Sequence, residues 1–228
     1  MSIGYFCTMN MASLIEHNCL GPAATVSDIE NICSEAKEYG FSAVAVPPLF
    51  VKKAKEALQN SNIKIATVVG FPFGYSAIEA KLAETVLAIV DGTDEINMVV
   101  NISAIKNTDW QYIAKEINTI MPVVKAKGRI IKVIIETGLL TDEEMITCCD
   151  IYGAAGVDAI KTSTGFASAG VTVESVKLLR KHLADAVQIS ASGSIQSCAF
   201  AKQLLDAGAC NISTGNAVQI VKEAAVLN

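Results

Sequence analysis

Ile130-Ile-Lys-Val-Ile-Ile-Glu136, then Thr141-Asp-Glu-Glu144, a helical stretch and Gly153, then Val157-Asp-Ala-Ile-Lys161 form one repeating unit. The first run is short and rich in branched side chains, and it alternates. Ile131, Val133 and Ile135 share one face, and Lys132 and Glu136 share the other, which is the period of a strand. Thr141 with Glu144 three residues on is a capping box, so a helix is predicted over 142–152, with Gly153 closing it. The second apolar run ends at Lys161. A strand, a helix and a second strand in this order make a parallel pair with a helical crossover.

The same unit recurs along the chain. Strands are predicted at 13–16, 43–46, 65–69, 95–100, 130–136, 157–161, 187–192 and 211–213. Helices are predicted at 28–39 after Ser27-Asp-Ile-Glu30, at 77–90 after Ser76-Ala-Ile-Glu79, and at 173–182 after Thr172. One more starts at Ser194 or Gln196 and ends near Ala207-Gly208. Eight strands each followed by a helix predict an α/β protein of the (β/α)8 TIM-barrel class. No Gly-x-Gly-x-x-Gly follows the first strand, which removes support for a dinucleotide-binding fold. No linker or low-complexity tract interrupts the pattern, so residues 1–228 read as one domain, with residues 1–12 assigned to a helix capping the barrel's N-terminal end.

Parity sorts the strand residues. Ile96, Met98 and Val100 share a face, leaving Glu95 and Asn97 opposite. Val187, Ile189 and Ala191 share another, leaving Gln188, Ser190 and Ser192. The apolar faces suit a covering layer of helices, so Glu16, Asn97, Lys132, Glu136, Lys161, Gln188 and Ser190 are assigned to the barrel interior. Burying so many polar groups is costly unless they pair with one another or carry out chemistry.

Half of the 228 residues are hydrophobic and 18% are charged, with a net charge of −5, which argues against disorder and against nucleic acid as a partner. No run reaches the length of a membrane span, and the first residues lack the layout of a signal peptide, so no membrane role is expected. Seven cysteines without a Cys-x-x-Cys pair, and only two histidines, give no metal site and point to a reducing cytoplasm. A lone lysine at the end of an apolar run, followed by Thr162-Ser-Thr-Gly165, loses hydration of its charged form, so free amine exists near neutral pH. Such an amine attacks carbonyls and forms a Schiff base, an electron sink for breaking or making a C–C bond.

Several segments together resemble the deoxyribose-phosphate aldolases, class I aldolases of the (β/α)8 fold. They are 15–25, 67–74, Asp94-Glu-Ile-Asn-Met-Val-Val-Asn101, Lys132-Val-Ile-Ile-Glu-Thr-Gly-Leu-Leu-Thr-Asp142, Gly156-Val-Asp-Ala-Ile-Lys-Thr-Ser-Thr-Gly-Phe166 and Ser190-Ala-Ser-Gly-Ser-Ile195. The resemblance implies that Lys161 forms the Schiff base. It implies cleavage of 2-deoxy-D-ribose 5-phosphate to glyceraldehyde 3-phosphate and acetaldehyde, a step of deoxyribonucleotide catabolism, without metal or organic cofactor. It also implies a homodimer, and phosphate held by Thr164, Gly165, Gly193, Ser194, Ser213, Thr214 and Gly215.

Departures from the family pattern fall on the chemistry. Family members usually carry an aspartate where Asn97 stands, and asparagine cannot accept and return a proton. They usually carry a second lysine where Ser190 stands, whose charge depresses the nucleophile's pKa. Their first strand has aspartate where Glu16 stands, and an arginine usually precedes the last phosphate turn where Asn211 stands. Three readings follow: the family reaction with a proton relay rearranged through Glu16, Glu136 or water; an aldolase of another sugar phosphate or aldehyde; and a catalytically impaired phosphosugar-binding descendant.

Overall fold

A computed structural model describes residues 11–226. The strands β1 (Ile15–Asn18), β2 (Ala43–Val46), β3 (Lys64–Val69), β4 (Glu95–Val99), β5 (Ile130–Ile134), β6 (Ala159–Lys161), β7 (Gln188–Ser192) and β8 (Asn211–Thr214) close into a barrel in sequence order. Every neighbouring pair is parallel, including β1 with β8. Between them run α1 (Val26–Tyr39), α2 (Val51–Ala57), α3 (Ile78–Asp91), α4 (Ile102–Lys106), α5 (Trp110–Ala126), α6 (Asp142–Ala155), α7 (Val173–His182), α8 (Cys198–Asp206) and α9 (Ala217–Val226). This is the (β/α)8 architecture the alternation predicts.

The outward strand faces follow the predicted parity. Ile96, Met98, Val100, Ile131, Val133, Ile135, Ile189 and Ala191 are all buried in the core between strands and helices. Among the described residues, no helix is long and apolar enough to cross a membrane.

Several predicted boundaries move, each for a local reason. Residues 11–14 form a 3-10 turn, so the first strand starts at Ile15 rather than 13 and carries Asn18 to its C-terminal end. The capping helix assigned to residues 1–12 lies, up to residue 10, outside the described residues. The first helix is capped by Thr25, which forms a capping box with Asp28, so it begins at Val26, before the Ser27 start read from the sequence. The Ser76 capping box does not form: α3 starts at Ile78, and Ala77 makes no side-chain cap. The loop ahead of it is pinned at Gly74, where a Cβ would fall 1.7 Å from the Val100 carbonyl oxygen. The helix expected from Ser194 or Gln196 starts at Cys198 with Ser197 as its cap, because Ser194 takes a left-handed φ of 61° that no helix accepts. Thr141 and Thr172 cap α6 and α7 as expected.

Candidate active site

Glu16 is the hub of the barrel interior. It sits on β1, fully buried, and its two carboxylate oxygens serve different partners. Oε1 is 2.5 Å from Lys161 Nζ, accepts a 2.8 Å bond from the Ser213 hydroxyl, and accepts a 3.3 Å bond from the Asn97 amide. Oε2 accepts a 2.9 Å bond from Lys132 Nζ, which also lies 2.5 Å from Glu95. Two lysines and two glutamates therefore form one buried chain, Lys161–Glu16–Lys132–Glu95, with formal charges that cancel. Parity placed Glu95 on the inner face, but its pairing with Lys132 lies beyond any sequence pattern.

The electrostatics follow from that chain. Burial is the largest influence on Lys161 and pushes its amine below the usual lysine range; Glu16 opposes this, and the Lys132 charge adds to it. Burial works against the Glu16 charge, yet Lys132 and Lys161 overcome it and hold the carboxyl well below the usual carboxylate range. Burial also works against Lys132, but Glu16 and Glu95 together hold it above the usual range, so it stays a cation. Lys132 is thus a second cation close enough to Lys161 to lower its pKa, reached from β5 and not from position 190.

Lys161 opens into a cavity of about 320 Å³ at the C-terminal end of the strands. All seven residues assigned to phosphate line it: Thr164, Gly165, Gly193, Ser194, Ser213, Thr214 and Gly215. So do Phe166, Ser192 and Asn216, which adjoin them in the same turns, and Asn18, Phe71 and Ser163, which the sequence reading left out of the site. Among the described residues, Lys161 is the one charged side chain in the lining. The backbone N–H groups of Gly165, Gly193, Ser194 and Gly215 find no acceptor among the described residues. The helix α9 begins directly after the lining residue Asn216 and α8 two residues after Gln196, so two positive helix ends flank this wall. Gly193 has φ 96°, and a Cβ there would fall 2.8 Å from the Ser163 Cβ, so only glycine fits this turn. Phe71 and Phe166 meet edge to face, their ring centres 5.3 Å apart, on the apolar side of the cavity.

Three assigned residues sit differently from their sequence reading. Ser213, assigned to phosphate, spends its hydroxyl on Glu16, Lys161 and Asn18. Glu136 is not on the barrel's inner face: β5 ends at Ile134, and Glu136 has a left-handed φ of 58° at the rim. There its Oε2 accepts from the Thr164 backbone N–H at 3.0 Å and from the Thr164 hydroxyl, which fixes the collar after Lys161. Gln188 lies exposed at the N-terminal mouth, because the barrel opens to solvent below its first strand residues. Asn97 and Ser190 are buried inside as expected, and Asn97 Oδ1 and Ser190 Oγ have no hydrogen-bond partner within the protein. Among the described residues, no group of three His, Cys, Asp or Glu side chains converges as metal ligands.

The fold is a closed parallel (β/α)8 barrel with a buried lysine, Lys161, under its C-terminal face. The chain belongs to the DeoC/LacD family of aldolases, whose pattern it matches over residues 10–218. It is 46% identical over 216 residues to the deoxyribose-phosphate aldolase of Caldanaerobacter subterraneus subsp. tengcongensis, covering 94% of each chain. It is 44% identical over 218 residues to the deoxyribose-phosphate aldolase of Thermococcus gammatolerans, covering 95% of this chain and 97% of that one. Among solved structures, the tetrameric deoxyribose phosphate aldolase of Aeropyrum pernix superposes with a TM-score of 0.88 at 30% identity, covering 96% of this chain and 92% of that one.

Proposed function

We propose that this protein is a lyase that cleaves 2-deoxy-D-ribose 5-phosphate to glyceraldehyde 3-phosphate and acetaldehyde through a Schiff base on Lys161. The observation that carries the reading is one buried, poorly solvated amine opposite a wall of backbone N–H groups that have no partner among the described residues, between two helix N-termini. That wall suits a phosphate and the amine suits the aldehyde carbon at the other end of the sugar. With the iminium formed, electrons of the C2–C3 bond flow toward nitrogen as the C3 hydroxyl loses its proton. Glyceraldehyde 3-phosphate leaves, the enamine is protonated at C2, and hydrolysis frees acetaldehyde and the amine. Glu16, 2.5 Å from the nitrogen, is the carboxylate placed to hold a proton there, where Asn97 cannot.

The test is borohydride reduction with acetaldehyde, followed by peptide mapping. The expected adduct is on the peptide containing Lys161, and Lys161→Met loses both adduct and turnover while keeping its fold. An adduct in the wild type with no turnover of deoxyribose 5-phosphate would favour another aldehyde or sugar phosphate. No adduct would favour a phosphosugar-binding descendant.

Two further parts of the proposal rest on general features. Six described cysteines, Cys19, Cys33, Cys148, Cys149, Cys198 and Cys210, carry free thiols, which supports a reducing cytoplasm. Leu87 and Val90 of α3 expose 63% and 73% of their surface, which supports self-association into at least a homodimer. Sedimentation at micromolar concentration should give more than the monomer mass.

A further inference from the structure

We infer that Ser213 is a further catalytic residue, the hydroxyl that carries protons from the Lys161 nitrogen and from the Glu16 carboxyl to the oxygen of the bound aldehyde. The inference rests on Lys161 being the Schiff-base nucleophile and adds to that reading a residue otherwise assigned to phosphate.

A serine hydroxyl has one proton to donate and two lone pairs to fill. At Ser213 all three are accounted for. The hydroxyl donates to Glu16 Oε1 at 2.8 Å and accepts from Lys161 Nζ at 3.0 Å and from the Asn18 amide at 3.2 Å. With both acceptor positions filled, its proton is directed at the carboxylate. The hydroxyl is buried, yet Ser213, Lys161 and Asn18 all border the cavity, so it stands beside the nitrogen on the side where a carbonyl must arrive. Strand register builds this contact: Glu16 of β1 and Ser192 of β7 both pair with Ser213 of β8, which holds its side chain over the hub.

The proton count closes within these groups. The Lys161 ammonium first gives a proton to Glu16 and becomes a free amine. Removing that cation leaves Glu16 with Lys132 alone, so the carboxyl becomes a better proton store at the moment it receives one. The amine adds to the aldehyde, and Ser213 takes a proton from nitrogen while giving its own to the new oxygen, leaving a neutral carbinolamine. The C–O bond then breaks as its oxygen takes the stored proton, relayed from Glu16 through Ser213. The products are the iminium and one water, with Glu16 again a carboxylate. The charge on the original ammonium reappears on the iminium, and hydrolysis runs the same steps backwards. Asn18 acts as a positioning residue, since its amide fixes the hydroxyl and touches neither nitrogen nor carboxylate.

The experiment measures the rate of acetaldehyde trapping at saturating borohydride across pH for wild type, Ser213→Ala, Ser213→Thr and Lys161→Met, with the adduct mapped in each. Acetaldehyde carries no phosphate, so trapping is blind to the phosphate wall. Ser213→Ala should trap about a hundredfold more slowly, as expected for loss of a general acid–base group, with its adduct still on Lys161 and its affinity for inorganic phosphate unchanged. Ser213→Thr, which keeps a hydroxyl at the same Cβ, should recover most of the rate. If Ser213→Ala traps at the wild-type rate, the relay is wrong while Lys161 stands. If it traps normally but binds inorganic phosphate more weakly, Ser213 is a phosphate ligand and the inference falls. If the wild-type adduct maps to another lysine, the Lys161 reading fails and takes the relay with it. Should Ser213→Ala lose its circular dichroism spectrum, the comparison of Ser213→Thr with Ser213→Val decides, because the two match in volume and differ by the hydroxyl. Equal rates for that pair would overturn the relay.

Discussion

Replacing Lys132 with methionine should raise the pH at which Lys161 becomes a nucleophile. Lys161 and Lys132 grip opposite oxygens of Glu16 at 2.5 and 2.9 Å, so neither can move without the other sensing it through the shared carboxylate. Like charges a few ångströms apart at an effective dielectric constant near 20 repel by about 2–4 kcal/mol, and the Lys132 charge is one of the causes that lower the Lys161 pKa. Loss of Lys132 also leaves Glu16 with Lys161 as its remaining cation, which pulls the same way. Both effects favour the ammonium, so the sign is fixed. Trapping with acetaldehyde and borohydride, followed across pH, should show its midpoint move upward by about one to two units.

The same substitution leaves Glu95 without its cation, and breaking a buried pair costs about 3–5 kcal/mol, so the variant belongs at low temperature with its circular dichroism checked. Coincident pH profiles for wild type and a folded Lys132→Met would refute the reasoning. Burial alone would then set the Lys161 pKa, and Lys132 would serve only to neutralise two carboxylates.

Asn97→Asp, tested alone for turnover, should gain little, because the new carboxylate would face Glu16 Oε1, where the Asn97 amide now donates at 3.3 Å; a hundredfold gain would contradict this. The double variant Asn97→Asp/Ser190→Lys should exceed both single variants in turnover, and a cycle showing simple additivity would count against the coupling. Lys81→Met should cost about 3–5 kcal/mol in urea unfolding, since Lys81 bonds the Val99 carbonyl at 2.7 Å and Glu116 at 2.6 Å with both side chains wholly buried. Adding Glu116→Leu should return most of that loss. Glu16→Gln should flatten the acid limb of stability: folded Glu16 stays charged well below its ordinary value of 4.5, so its contribution is complete above 4.5 and is lost as pH falls through the folded value. Parallel stability curves for wild type and variant between pH 3 and 6, a range set around the ordinary carboxylate pKa, would contradict it.

Barrel architecture was legible because it is written twice, once in strand parity and once in the capping boxes. Ile131, Val133 and Ile135 share an apolar face that suits covering helices, and Thr141 with Glu144 caps α6, although the same pattern at Ser76 forms no cap. Lys161 was legible for a related reason, as a charge at the end of an apolar run. The connections were not. Nothing in the periodicity says that Glu16, 145 positions from Lys161, meets it, or that Ser213 turns its hydroxyl inward while Thr214 bonds the Ile195 carbonyl. Those contacts depend on which strand closes the barrel against which, at what stagger. Glu136 shows the opposite failure: alternation carried it inward, but the strand stops two residues earlier, and a left-handed backbone turns it to the rim. Lys81 makes a further connection of the first kind: the packing of α3 against α5 buries it on Glu116.

The departures from the family pattern are best understood as one change rather than several. An aspartate at position 97 and a lysine at position 190 would bring one negative and one positive charge into the barrel. Asn97 and Ser190 remove both, so the interior keeps its balance: Glu16 and Glu95 against Lys132 and Lys161. Losing either alone would leave a net charge in a region where an unpaired ion costs several kcal/mol. The longer side chain at position 16 fits the same change. The Glu16 side chain brings its carboxylate to 2.5 Å from Lys161 Nζ and under the Ser213 hydroxyl, and on the proposed reaction it is the proton-holding group at the nitrogen. This also explains why restoring a single family residue is a poor route to the family's relay. An aspartate in place of Asn97 would meet Glu16, and a lysine in place of Ser190 would add a third cation to a set already neutral. Charge balance couples positions 97 and 190, so the two are expected to change together, and on the proposed reaction Glu16 is the carboxylate beside the nitrogen.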